Sequence, residues 1–203
     1  MSDSTSDGIV IAILAGGQSR RMGAMDKAVA LLNGRRLIDH AIARARDQAA
    51  QLLLAAPHDY ETGLPFVPDQ PGLPAGPVGA IATLAACAAR KHGRDARFVT
   101  VPVDAPFFPH DLVRRLMAVP GSGFVETPAG PQPAFAIWAA GAVLDALAGA
   151  DAEADAHWPI RRLARLCHAQ AVRFDSDNAF ANINTPEQLA EAASRLAADD
   201  HGS

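Results

Sequence analysis

The chain has 203 residues, 49% hydrophobic and 20% charged, with a formal net charge of −4. That is enough apolar material for one well-buried core, read as a single domain over 1–203 with disordered ends at 1–7 and 199–203. The charge excludes a broad nucleic-acid-binding face, no apolar run is long enough to span a membrane, and the acidic start lacks the basic region of a secretory signal, so the expected location is cytoplasmic.

The apolar run Ile9 to Leu14 reads as a buried parallel strand. Directly after it come Ala15-Gly16-Gly17-Gln18-Ser19-Arg20-Arg21-Met22-Gly23-Ala24-Met25-Asp26-Lys27. Glycines let main-chain N–H groups approach a ligand, and Arg20, Arg21 and Lys27 add positive charge beside them, which suits a polyphosphate. The spacing is neither that of a P-loop nor that of a dinucleotide-binding G-x-G-x-x-G turn. An ordinary strand-to-helix turn with solvated arginines would leave this density of donors unexplained.

Ala28 to Leu32 is a short apolar segment expected as a strand, and Asn33-Gly34 a turn separating it from an amphipathic helix that carries Leu37, Ile38, Ala41, Ile42 and Ala45. Leu52 to Ala56 reads as a second buried strand, which makes a parallel crossover unit. From His58 to Pro77 the chain is loop, with Phe66-Val67 as a brief strand, and a loop of that length in a compact domain is usually functional or mobile. The helix that follows carries Val78, Ile81, Ala82 and Ala85. Gly76 and Gly79 at its start serve either ligand approach or tight packing.

Arg97 to Val103 is the third strong strand and ends in Asp104-Ala105-Pro106. In an open parallel sheet ligands bind at the carboxyl ends of strands, so Asp104 and the glycine loop share one edge. A carboxylate there suits magnesium, which usually meets phosphates through one or two carboxylates; Asp104 also lies too early to cap the helix beginning near His110 or Asp111. Downstream, the expected elements are a helix over Leu112 to Met117, a strand over Gly123 to Glu126, and a turn-rich break from Pro128 to Pro133. A strand over Ala134 to Trp138, a helix over Ala142 to Leu147 and a loop from Asp151 to His157 follow. Trp158-Pro159 opens a helix with Arg161, Arg162 and Arg165, explained by a solvated face or by an anionic second substrate. Ala171 to Phe174 is a late strand. Thr185-Pro186 with Gln188 signals a capped start of the last helix, which leaves Asn182 and Asn184 as candidate ligand contacts. Cys87 and Cys167 lack metal-site spacing and read as buried thiols.

Leu14 to Gly23 with Asp26-Lys27, then Gly76-Pro77, Asp104-Ala105-Pro106, Gln132-Pro133 and Asn182-Ile183-Asn184-Thr185-Pro186, in this order over nearly the whole chain, resemble the molybdenum cofactor guanylyltransferase family. The resemblance implies an α/β fold, a Rossmann-like three-layer sandwich with a mostly parallel central sheet of the nucleotide-diphospho-sugar transferase type. It implies GTP and molybdopterin cofactor as substrates, magnesium as cofactor, and molybdoenzymes or their chaperones as receivers of the product. By position, Leu14, Ala15, Gly16, Gly17, Asp69 and Gly76 would meet the nucleotide. Arg21 and Lys27 would meet its phosphates as catalytic groups, together with Asp104, which would also hold the metal. Gln132, Asn182 and Asn184 would fall on the pterin side. The double glycine resembles the guanylyl branch more than the cytidylyl branch. Two segments differ from the family pattern: Ala55-Ala56-Pro57 stands where an asparagine is usual after the second strand, and Ala156 to Arg162 does not match the arginine-containing segment near the pterin. The alternatives are CTP on the same cofactor, GTP on another phosphorylated acceptor, or a nucleotide-sensing module without turnover.

Overall fold

The computed structural model describes residues 8–16, 26–74, 76–149 and 158–200, with side chains through 196. Its frame is a seven-stranded sheet in the order β5-β4-β1-β6-β8-β7-β9. β1 (Val10–Leu14) is central, flanked in parallel by β4 (Gln51–Ala55) and β6 (Arg97–Pro102), while β5 (Phe66–Val67) extends the parallel set beyond β4. β8 (Gly130–Ala139) runs antiparallel to both β6 and β7 (Gly123–Thr127), and β9 (Gln170–Arg173) is parallel to β7. The sheet is therefore mostly parallel, as expected of strands that read as unbroken apolar runs and must be covered on both faces.

The covering layers follow from helical periodicity. α1 (Leu37–Arg46) buries Leu37, Ile38, Ala41 and Ala45, the side chains spaced at one face. On its side of the sheet, Ile11, Ile13, Val99 and Val101 pack with Phe108, Phe135 and Phe180. α3 (Leu112–Met117) joins this layer through Leu112, Val113 and Leu116. The opposite layer contains α2 (Pro77–His92), α4 (Ala140–Ala148) and α5 (Ile160–Leu166), packed on Ala12, Leu14, Ala136 and Trp138. Alternation along β1 therefore sends Ile11 and Ile13 to one core and Ala12 and Leu14 to the other. α6 (Pro186–Asp200) carries the helix through Asp199 and Asp200, beyond the point at which composition placed the disordered end. Its start is a capping box: Thr185 Oγ1 accepts from the Gln188 amide, and Gln188 Oε1 accepts from the amides of Asn184 and Thr185.

Two expected elements differ. Ala28 to Leu32 is not one strand. Lys27–Val29 is a 3₁₀ turn, and β2 (Leu31–Leu32) pairs antiparallel with β3 (Arg35–Arg36) in a hairpin separate from the main sheet. Asn33 and Gly34 have φ of 49° and 76°, so they form the two-residue turn of that hairpin instead of a strand-to-helix break. The second difference is Pro128 to Pro133, where β8 begins at Gly130 and holds Pro131 and Pro133 within the strand. β6 pairs only with Ala136 to Ala139 of β8, so the prolines lie where β7 is the sole partner, and one side of the strand needs no N–H donor.

The start of α2 answers the question about its glycines. A Cβ on Gly79 would stand 2.2 Å from the Pro74 carbonyl oxygen, so this residue serves packing of the helix against the preceding loop. Gly76, with φ 82°, is the N-cap. Gly79→Ala forces backbone to move; we expect it to lower stability by about 1–3 kcal/mol, measurable as a reduced urea midpoint with unchanged slope.

Candidate functional site

The parallel strands β4, β1 and β6 all end at one edge of the sheet. Leu14, Ala15 and Gly16 leave β1 there, and Val103 and Asp104 leave β6; the Val103 amide donates to the Leu14 carbonyl at 3.1 Å and so holds the two exits together. The 16-residue α2 points its N-terminus, with Pro77 in the first turn, at the same edge. These residues line a cleft of about 240 Å³ open to solvent, which also touches Asp26, Lys27, Ala134, Ile160 and Asn182. A helix N-terminus beside a strand-end turn favours anions through its unpaired N–H groups and dipole.

Lys27 is the centre of the cleft's chemistry. Although only 8% exposed, it carries an ammonium that donates to Asp104 Oδ2 at 3.0 Å and to Asn184 Oδ1. A buried cation is tolerated only when paired and hydrogen-bonded, and here both partners come from distant parts of the chain. Asp104 is held through its carbonyl, which accepts from the Ile183 amide at 2.6 Å. That bond brings the Asn182-Ile183-Asn184 segment to the cleft, and the Ile183 side chain is buried with Ala30, Leu32, Leu37 and Ala192. Asn184 thus lies beside the Lys27–Asp104 pair. Asp104 does not cap α3, whose N-cap is Asp111.

Asp26 sets the position of Lys27. Its Oδ1 accepts from the Ala28 amide at 2.9 Å and caps the 3₁₀ turn, while Oδ2 accepts from the Tyr60 hydroxyl at 2.6 Å. The same hydroxyl lies 3.1 Å from the Ala15 carbonyl oxygen. Neither Tyr60 nor the capping role of Asp26 is marked by a motif; the available signal is that Tyr60 is the single tyrosine of the chain, set in an otherwise polar loop.

Other expected site residues are placed as follows. Gly17 and Arg21 lie outside the described residues. Asp69 is on the exposed loop after β5, and Asp69, Gly76 and Gln132 are not among the described residues lining this cleft. Gln132 is half-buried on β8, two residues before Ala134, which does line it. The exposed Arg162 stacks over the buried Trp158 ring at 4.0 Å. Cys87 and Cys167 are unpaired thiols, and burial pushes the Cys167 thiol up to about 11.

For a metal, the described residues contain no group of three or more His, Cys, Asp or Glu side chains able to hold an ion. A cage built from protein alone therefore does not fit these residues. The half-buried Asp104 carboxylate facing the cleft fits an ion shared with phosphates.

Burial, followed by the bond and charge of Asp26, raises the Tyr60 phenol above its ordinary value of 10.0. The unfolded chain then releases this proton first, so the contribution to stability is complete below pH 10 and is lost as pH rises through the folded value. In an ultraviolet titration the single tyrosine of the native protein should ionise at higher pH than in denaturant, and Asp26→Ala should narrow the gap.

The family model described as MobA-like NTP transferase domain matches residues 11–173. A molybdenum cofactor guanylyltransferase of Rhodobacter capsulatus is 40% identical over 190 residues, covering 91% of this chain and 94% of that protein. Among solved structures, molybdopterin-guanine dinucleotide biosynthesis protein A from Archaeoglobus fulgidus superposes with a TM-score of 0.69 at 21% identity, covering 94% of this chain and all of that one. A 4-diphosphocytidyl-2C-methyl-D-erythritol synthase superposes at a TM-score of 0.67 with 11% identity, covering 93% of this chain and 98% of that one, so it shares the fold. With a family model over most of its length and a 40% identical relative, the chain belongs to the MobA-like NTP transferase family.

Proposed function

We propose that this protein is a single-domain cytoplasmic molybdenum cofactor guanylyltransferase that transfers GMP from GTP to molybdopterin cofactor and releases pyrophosphate. The observation that carries the reading is the Lys27–Asp104 pair at the strand-end edge beside the Gly16 turn, in a chain 40% identical to a protein of that name. The acceptor is a terminal phosphate, already ionised near neutral pH, so no general base is required. Its oxygen attacks the α-phosphorus of GTP in line, the bond to the bridging oxygen breaks, and pyrophosphate leaves with that electron pair.

The protein's contribution is position and charge. Main-chain groups from Leu14 to Gly17 and the N-terminus of α2 bind the triphosphate. Lys27 and Arg21 offset the charge that develops on the transferring and leaving phosphates, and Asn184 orients the Lys27 ammonium. Asp104 would hold magnesium, an ion that neutralises phosphate oxygens. Asn182, which lines the cleft, would face the pterin substrate together with Gln132 and Asn184. The side chains of Ala55-Ala56-Pro57 have no hydrogen-bonding group, so base selection falls to main chain at the end of β4 and to the loop carrying Asp69.

Lys27→Ala and Asp104→Asn should each lower kcat by about two to three orders of magnitude, the usual effect of removing one preorganised electrostatic contact, with circular dichroism showing a folded chain. With magnesium present, GTP should raise the melting temperature and CTP should not, because only a ligand of the folded state stabilises it. Dinucleotide product made from CTP in preference to GTP would reject the guanylyl assignment.

A further inference from the structure

Resting on the nucleotide site proposed above, we infer that Tyr60 is its positioning residue: its hydroxyl joins Asp26 to Ala15 and so sets Lys27 against the strand-end turn that receives the phosphates. Three observations carry this.

First, the hydroxyl meets two chain segments that are not adjacent in sequence. It donates to Asp26 Oδ2 at 2.6 Å and lies 3.1 Å from the carbonyl oxygen of Ala15, one residue before Gly16. Asp26 uses its other oxygen to cap the turn that begins with Lys27. Removing the hydroxyl therefore acts on Lys27 through one intermediary, with no contact between Tyr60 and a ligand required.

Second, Tyr60 is itself fixed on every side. Arg36 donates to the Tyr60 carbonyl at 2.7 Å, and its guanidinium is forked onto Asp39 at 2.7 and 2.8 Å. The Tyr60 amide donates to His58 Nδ1 at 3.2 Å, and the two rings lie 4.1 Å apart. An aromatic ring 5% exposed with so many tethers has one position available to its hydroxyl.

Third, the backbone is bent to place it there. Tyr60 and Glu61 have φ of 52° and 57°, a left-handed pair without glycine, a conformation that persists only where surrounding structure enforces it. A side chain needed only to fill the core could be supplied from ordinary extended backbone.

The test is the affinity of the full-length protein for nucleotide, measured by calorimetry with magnesium and GTP, CTP or inorganic tripolyphosphate, alongside KM and kcat. Tyr60→Phe keeps the ring and deletes the bond. It should remain folded and weaken GTP binding about tenfold, the loss expected for one hydrogen bond to a charged group, with KM for GTP raised and KM for the pterin unchanged. Asp26→Ala, which also removes the cap on the turn of Lys27, should weaken GTP at least as much, and the double variant should be no weaker than Asp26→Ala alone, since Tyr60 acts through Asp26. If Tyr60→Phe does not fold, Asp26→Ala alone tests the other end of the same bond. Unchanged GTP affinity with a lowered melting temperature would overturn the inference, leaving Tyr60 a packing residue, as would additive effects in the double variant. Wild-type protein that binds CTP and not GTP fails the guanylyl reading alone, and Tyr60 is then judged by CTP affinity. Wild-type protein that binds none of the three probes overturns both.

Discussion

A buried ammonium has to be neutralised where it stands, and most of the cleft's construction meets that demand of Lys27. Its carboxylate partner lies 77 residues away in sequence and its amide partner 157. Withdrawing either charge from water is costly, and the attraction offsets this only with close geometry and full hydrogen bonding. The backbone bond from Ile183 to Asp104 and the Asp26 cap on the 3₁₀ turn supply that geometry. Under the proposed function, a triphosphate arrives at a site where the cation is already desolvated and aimed, so little reorganisation is needed when charge develops.

The sheet supplies the rigidity behind this. Thr100, fully buried on β6, accepts from Trp138 Nε1 at 2.9 Å and donates to the Ala134 carbonyl at 3.0 Å, which locks β6 to β8 across their antiparallel pairing. Polar groups in a core are costly if left unpaired, and these are satisfied within the sheet. β6 consequently delivers Asp104 at a fixed height, and β8 delivers Ala134 to the neighbouring wall. The cleft thus has one wall made from parallel strand exits and one that includes Ala134 of the antiparallel β8.

Much of this was legible in residue order because it depends on local chemistry. Continuous apolar runs marked β1, β4 and β6, and Asp104 and the glycine turn were placed on one edge simply because both follow parallel strands. Thr185, Pro186 and Gln188 announced a cap that the structure contains. What failed to show depends on partners remote in sequence. Asn33-Gly34 is a turn signal in either setting, and only the pairing of Leu31 with Arg36 makes it a hairpin. Pro131 and Pro133 argue against a strand until it is known that β6 leaves that stretch unpaired. Tyr60 had no pattern to betray it, since its bonds reach Ala15 and Asp26 across 45 and 34 residues. Asn184 was recognised as more than a capping residue, and its bond to Lys27 spans 157 residues of sequence.

The small cluster of Ala30, Leu32, Leu37, Ile183 and Ala192 stands apart from the two main cores and unites the hairpin, the asparagine segment and the last helix. Among the described residues, the buried members of the two cores flanking the sheet all lie at or before Phe180. Lys27 and Asp104 precede that point in the chain, whereas Asn184 and the Ile183 anchor follow it. The seating of Asn184 against Lys27 is consequently tied to the packing of α6 on the hairpin, through a cluster separate from both larger cores.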